Sequence, residues 1–133
     1  MVSPTNTTGI ILAGGKSSRM GQDKAWLLYN GRSFIEHIID ALRPLVSEII
    51  VIANAPEYAR LDVTVMQDKI PDCGPLGGLY TGLLHTATPY NIVLSCDVPL
   101  ITTTALAHLI AHHQNQLITA FSIEGRWQPL VAL

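Results

Sequence analysis

Four short apolar runs, rich in β-branched residues, constrain this chain more than anything else in it. They are Thr8–Leu12, Glu48–Ile52, Asp62–Met66 and Asn91–Ser95, of which the third is the weakest. Each has the length of a buried strand, and segments of helical period alternate with them. That alternation predicts βαβ units on a mainly parallel sheet with helices on both faces, a three-layer αβα, Rossmann-like architecture. Two further runs, Leu117–Ile123 and Trp127–Leu133, flank Glu124-Gly125-Arg126 and predict two strands about a turn.

The helical segments carry their own start and stop signals. Ser33-Phe34-Ile35-Glu36 is a capping box, in which a serine and a glutamate satisfy each other's orphan amides. Apolar residues at 34, 35, 38, 39 and 42 then mark one helical face, and Pro44 cannot continue it. Pro75 suits a first helical turn. Leu76, Leu79, Tyr80, Leu83 and Leu84 follow it at helical spacing. Thr103 or Thr104 can cap a third helix that runs to about His112. Trp26–Tyr29 predicts a short extended piece closed by the turn-forming pair Asn30-Gly31.

At 133 residues, residues 1–133 make one domain. Its residues are 48% hydrophobic and only 14% charged, against about 25% charged in an average globular chain. Much of its surface is therefore expected to be covered, by its own layers or by a further portion. A net charge of −2 argues against a nucleic-acid or anionic-membrane surface, which needs clustered Lys and Arg. No apolar run reaches the roughly 20 residues that span a bilayer, and Met1–Thr8 lacks the pattern of a signal peptide. Cys73 and Cys96 form neither a metal-spaced pair nor a disulfide framework. A cytoplasmic, reduced chain with no membrane or nucleic-acid partner is the expectation.

In open α/β sheets, ligands sit beyond the carboxyl ends of the strands. In this chain the residues there are Gly14 and Gly15, then Asn54, Asp68 and Asp97 after the successive strands. Exposed backbone amides, an amide side chain and two carboxylates in one crevice suit a phosphate-bearing nucleotide with a divalent metal. The first loop is the sharpest feature. Lys16, Arg19 and Lys24, three of the eight basic residues, fall within nine positions of one another. Glycines permit close backbone approach, successive amides cradle an anion, and the cations neutralise a triphosphate. The Walker A pattern fails, because Ile10 stands where its first glycine belongs, and G-x-G-x-x-G is absent.

Other features are weaker. Gly77, Gly78 and Gly82 interrupt a helical pattern at a cost of about 1 kcal/mol each. They serve either close approach of a ligand or tight packing of helix on sheet, with Gly77 and Gly78 nearer the ligand and Gly82 in packing. His108 and His112 have the i, i+4 spacing of a zinc pair, but the glutamate of H-E-x-x-H is missing, so solvated or capping histidines are expected. Cys96 reads as a small buried residue.

Taken in order, Leu12-Ala13-Gly14-Gly15-Lys16-Ser17-Ser18-Arg19-Met20-Gly21-Gln22-Asp23-Lys24, the GPLGGL segment from Gly74 to Leu79 and the SCDVPL segment from Ser95 to Leu100 resemble the molybdenum cofactor guanylyltransferases of the MobA type. The resemblance runs from about residue 8 to the end. It implies the glycosyltransferase-A-like nucleotidyltransferase fold. It also implies transfer of GMP from GTP to molybdenum-bearing molybdopterin, with release of pyrophosphate. By it, Leu12, Ala13, Gly14, Gly15, Lys24, Asn54, Asp68 and Asp97 would bind GTP. Arg19, Lys24 and Asp97 would be catalytic, and Asp97 would ligate Mg²⁺. Molybdoenzymes or their chaperones are further implied partners. The family's chains usually continue past the counterpart of Gln128–Leu133, through an Asn-x-Asn-Thr-Pro stretch, so the chain is expected to be shortened at its C-terminal end.

The residues agree with that chemistry. Phosphoryl-type transfer needs positioning and charge neutralisation more than covalent chemistry. Arg19 and Lys24 suit the charge on the attacked phosphate and the departing pyrophosphate. Asp68 could accept from the N1–H and N2–H₂ of guanine, a donor pattern that cytosine and adenine lack. Two alternatives stay open: a non-catalytic GTP-binding domain, and a related nucleotidyltransferase that uses CTP or a sugar phosphate.

Overall fold

The computed structural model describes residues 2–13, 24–68, 74–96, 101–114, 119–123 and 126–132. Its central sheet begins with β1 (Thr7–Leu12). A hairpin of two short strands, β2 (Leu28–Tyr29) and β3 (Arg32–Ser33), leads into helix α1 (Phe34–Leu42). Then come β4 (Glu48–Ile52), β5 (Thr64–Met66), α2 (Gly74–His85), β6 (Tyr90–Ser95), α3 (Thr103–Ala111), β7 (Ala120–Ile123) and β8 (Arg126–Ala132). The order across the sheet is β5-β4-β1-β6-β8-β7. The first four strands are mutually parallel, and β8 and β7 close the sheet antiparallel. The mainly parallel α/β architecture is thus the one the apolar runs predict.

Side-chain alternation along the strands divides the interior in two. Ile11, Ile49, Val51, Ile92 and Leu94 face α1 and α3. Ile10, Leu12, Ile50, Ile52 and Val93 face the opposite way, toward Leu79 of α2. Both sets are buried, which is why the strands read as unbroken apolar runs.

Helix α1 starts where its capping box says it should. The Ser33 hydroxyl lies 2.7 Å from Oε1 of Glu36 and accepts the Glu36 N–H at 3.4 Å, while the Ser33 N–H donates to Oε1 at 3.2 Å. Ile35, Ile38, Ile39 and Leu42 are buried, and a 3-10 turn at Arg43–Leu45 ends the helix. Ahead of it, Asn30 and Gly31 both have positive φ, 52° and 80°, as the tight turn between β2 and β3 requires.

Three local expectations change. The segment expected to be extended from Trp26 opens instead with a 3-10 turn at Lys24–Trp26, and only Leu28–Tyr29 pairs. The strand expected over Asp62–Met66 contracts to Thr64–Met66. Neither Thr103 nor Thr104 caps α3: Thr102 does, accepting the Ala105 N–H at 3.1 Å. Thr103 is used elsewhere, donating its hydroxyl to the Ala41 carbonyl at 2.8 Å and tying α3 to α1.

The largest departure is the face that α2 presents. Most of its expected apolar stripe does not pack on the sheet: Leu79 does, but Tyr80, Leu83 and Leu84 are about half exposed. The side lying on the sheet carries Gly78, Thr81 and Gly82 instead. A β-carbon on Gly82 would come within 2.9 Å of Ile10 Cγ2, and one on Gly78 within 3.1 Å of Leu12 Cδ2. Both glycines thus serve close packing of helix on strand, Gly82 as expected and Gly78 as well.

Candidate functional site

The strand register builds one edge. Leu12 pairs with Ile52 on one side and Ser95 on the other, and Ile52 pairs with Met66. The carboxyl ends of β5, β4, β1 and β6 therefore lie in a single row. Backbone bonds extend the row one residue further. The Ala13 N–H donates to the Ile52 carbonyl at 3.0 Å, the Ala53 N–H to Met66 at 2.9 Å, and the Cys96 N–H to Leu12 at 3.1 Å. Between β1 and β6 the connections run to opposite sides, the switch point at which α/β sheets hold ligands.

Leu12, Ala13, Asn54 and Asp68 are thus brought to the same edge. Leu12 is buried beneath Gly78, and the Ala13 N–H is committed to Ile52. The Ala13 N–H is thus not available to an anion. Gly14, Gly15, Lys16, Arg19 and Asp97 lie outside the described residues, and of Lys24 only the backbone is described. The chain exits toward them are nonetheless adjacent. Gly14 follows Ala13, Asp97 follows Cys96, and the Cys96–Leu12 bond holds the two exits side by side.

Asp68 is the best-defined polar group on this edge. The Oδ1 of Asn54, beyond β4, accepts the Asp68 backbone N–H at 3.0 Å and ties the two strand exits together. The Asp68 carboxylate is met from α2 by the hydroxyl of Thr81, 3.4 Å from Oδ1. Thr81 is fully buried, and the same hydroxyl lies 3.0 Å from the Gly77 carbonyl one turn earlier. The close seating of α2 on Ile10 and Leu12 is what brings Thr81 down to Asp68.

On the α1 side of the edge, Trp26 anchors the exit of the first loop. Its ring tilts at 51° against buried Tyr58, with centroids 5.1 Å apart, and the Arg60 guanidinium sits 4.8 Å over it. Ala25 beside it is fully buried. The backbone of Lys24, opening this same turn, is thereby moored to the segment that follows β4. Neither Thr81 nor the Trp26–Tyr58–Arg60 stack is apparent in the sequence. A threonine within a helical run carries no motif, and the three stacked residues are too far apart for any spacing rule.

The remaining polar clusters lie elsewhere. A groove of about 370 Å³ on the outer flank of α1 is lined by Arg32, Glu36, Asp40, Arg43 and Asp62, among others. Most of its charges are already paired, Arg32 with Asp40 and Glu36 and Arg43 with Asp62, while Arg60, which also lines it, lies over Trp26. His112 caps its own helix, with Nδ1 2.9 Å from the His108 carbonyl, and its ring packs on that of His108. Cys96 is half-buried against the α1-side core. Among the described residues no three His, Cys, Asp or Glu side chains group to hold a metal ion. None of the described helices is long and apolar enough to cross a membrane.

Comparison with known proteins agrees with this geometry. The MobA-like NTP transferase domain family matches residues 9–133. A Flavobacterium johnsoniae protein named "Probable molybdenum cofactor guanylyltransferase" is 44% identical over 95% of this chain and 67% of its own length. The "Molybdenum cofactor guanylyltransferase" of Vibrio cholerae is 36% identical over 90% of this chain and 68% of its own. The chain spans 63% to 68% of the length of such curated relatives. Among solved structures, a nucleotidyl transferase from Methanothermobacter shares the fold, with a TM-score of 0.76 over 87% of this chain, 62% of that one and 21% identity. A mainly parallel sheet with its switch point between β1 and β6, and a family match that runs from residue 9 to residue 133, make this chain a member of the MobA-like NTP transferase family.

Proposed function

We propose that this chain carries the GTP-binding part of a molybdenum cofactor guanylyltransferase. The reaction would transfer GMP from GTP to molybdenum-bearing molybdopterin. An oxygen of the terminal phosphate of molybdopterin attacks the α-phosphorus of GTP. The bond from that phosphorus to the bridging oxygen of the β-phosphate breaks, and pyrophosphate leaves with the electron pair. The observation that carries this reading is Asp68, its backbone N–H bound by Asn54 and its carboxylate met by Thr81, on the edge from which the chain leads on to Gly14 and Asp97.

In this reading Asp68 accepts the paired donors of guanine. Gly14 and Gly15 bring backbone amides to the phosphates, and Arg19 and Lys24 offset charge on the α-phosphate and the departing pyrophosphate. The donor chemistry fits Mg²⁺. By the family resemblance the ion would be held by Asp97 together with phosphate oxygens and water, a normal share of protein ligands for this metal. It would supply charge neutralisation along the triphosphate. A cytoplasmic setting, and delivery of the product to a molybdoenzyme or its chaperone, belong to the same reading.

Calorimetry of the 133-residue chain with magnesium and GTP, CTP or ATP tests it. GTP is expected to bind at least about tenfold more tightly than the others, the worth of one or two hydrogen bonds to a charged group. A preference for CTP would overturn the assignment of Asp68. Pyrophosphate release on adding molybdenum-bearing molybdopterin is the expected activity. GTP binding without that release would leave the chain a binding domain.

A further inference from the structure

The geometry points to Thr81 as the residue that aims the Asp68 carboxylate, and so sets the choice of purine base, an inference that rests on the reading of Asp68 above. The terminal torsion of an aspartate is broad and roughly two-fold, so its own rotamer preference does not aim it. Two contacts bear on how Asp68 is held. Its backbone N–H is bound by Oδ1 of Asn54 at 3.0 Å, and its Oδ1 lies 3.4 Å from the Thr81 hydroxyl. The first contact places the Cα, and the second limits rotation of the carboxylate.

The hydroxyl itself has little freedom. Thr81 is fully buried, in a helix that sits low on β1 because Gly78 and Gly82 have no side chains. Its single proton is shared between the Gly77 carbonyl at 3.0 Å and Asp68. An ionised carboxylate only accepts, so this contact requires the threonine to donate. A carboxylate with one oxygen so restrained keeps a set orientation. That favours a ligand edge with two adjacent donors, N1–H and N2–H₂ of guanine. Hypoxanthine, which keeps N1–H and lacks the exocyclic amine, is the sensitive competitor.

Thr81 is thus a positioning residue, and the alternative is that its hydroxyl only bonds back to its own helix at Gly77. The test is equilibrium binding of GTP, ITP and base-free tripolyphosphate, each with magnesium, to the wild-type chain, Thr81→Val and Thr81→Ser. The wild type is expected to prefer GTP over ITP by about tenfold. Thr81→Val is expected to lose most of that ratio and to leave tripolyphosphate binding unchanged, and Thr81→Ser to restore the ratio. Thr81→Ala gives the same readout should the valine disturb folding. An unchanged GTP-to-ITP ratio in the folded valine or alanine variant overturns the inference, as does an equal loss for all three ligands. A wild type that does not discriminate GTP from ITP defeats the reading of Asp68 itself, before any variant is made.

Discussion

A β-carbon on Gly82 would lie 2.9 Å from Cγ2 of Ile10, closer than packed atoms tolerate. Gly82→Ala is therefore expected to destabilise the fold. Overpacking a tight core costs about 1–3 kcal/mol. The better helix propensity of alanine returns only about 1 kcal/mol. Ile10 is a stiff, fully buried strand residue and cannot step aside. At Gly78 the nearest atom is the end of the Leu12 side chain at 3.1 Å, so Gly78→Ala should cost less. Denaturant unfolding of both variants checks the order, and equal stabilities would count against the seating of α2 described here.

Asn54→Ala is expected to loosen the base end of the site without unfolding the chain. The substitution removes the acceptor of the Asp68 N–H, a bond worth about 1 kcal/mol to stability. Asn54 is exposed, so water can replace that bond, and the cost should fall mainly on binding. GTP affinity should drop several-fold while tripolyphosphate affinity holds. Matching losses for the two ligands would show that Asn54 acts on the phosphates instead.

How much of this was legible in the sequence depended on whether local pattern and tertiary packing agreed. They agree in the strands, where Ile10 and Ile11, or Ile49 and Ile50, are buried on opposite faces and read as continuous apolar runs. They agree at Ser33 and Glu36, because a capping box is complete within four residues. In α2 they disagree. Periodicity finds the stripe of Leu76, Leu79, Tyr80, Leu83 and Leu84, of which Leu79 packs on the sheet and the last three are about half exposed, because a sheet is approached most closely by a helix face without side chains, and Gly78 and Gly82 provide one. Of the candidate site, Asn54 and Asp68 were legible because strand ends locate them, whereas Leu12 and Ala13 came only from the family resemblance. Thr81 was not, since its role arises only once α2 is seated on the sheet.

The capping box should make stability pH-dependent at the acid end. The Glu36 carboxyl is held below its ordinary value, chiefly by the Ser33 hydroxyl and backbone N–H and then by Arg32. A carboxyl whose folded value is depressed stabilises the fold fully above its unfolded value. That contribution fades as pH falls through the folded one. Here it is present at neutral pH and lost below about pH 4. Ser33→Ala should cost about 1 kcal/mol at pH 7, and the gap to wild type should narrow on acidification. Thermal melts at pH 7, 5 and 3.5 check this, and a gap that widens toward acid would be inconsistent with the box.

Asp97→Ala should leave the fold intact and lower magnesium-dependent turnover by about 10²-fold or more, the scale of losing one key electrostatic group. The loss should be greater than for GTP binding, because charge develops on the pyrophosphate only as the bond breaks. Pyrophosphate release measured across a magnesium titration checks it. A variant with full turnover would remove Asp97 from the reaction.

Trp26 should govern the phosphate end of the ligand as Thr81 governs the base. Its ring is held by Tyr58 and Arg60, and it lies two residues after Lys24 in the same 3-10 turn. Removing the ring forfeits about 1 kcal/mol of aromatic pairing and a similar cation–π contact, and unmoors the backbone that carries Lys24. Trp26→Leu keeps apolar volume against the core and loses both ring contacts. GTP, ITP and tripolyphosphate should then all weaken by a similar factor, with the GTP-to-ITP ratio unchanged. That is the opposite signature to Thr81→Val. A Trp26→Leu chain that altered the base preference instead would mean that the two ends of the site are coupled through the sheet edge rather than set separately by the helix and the loop.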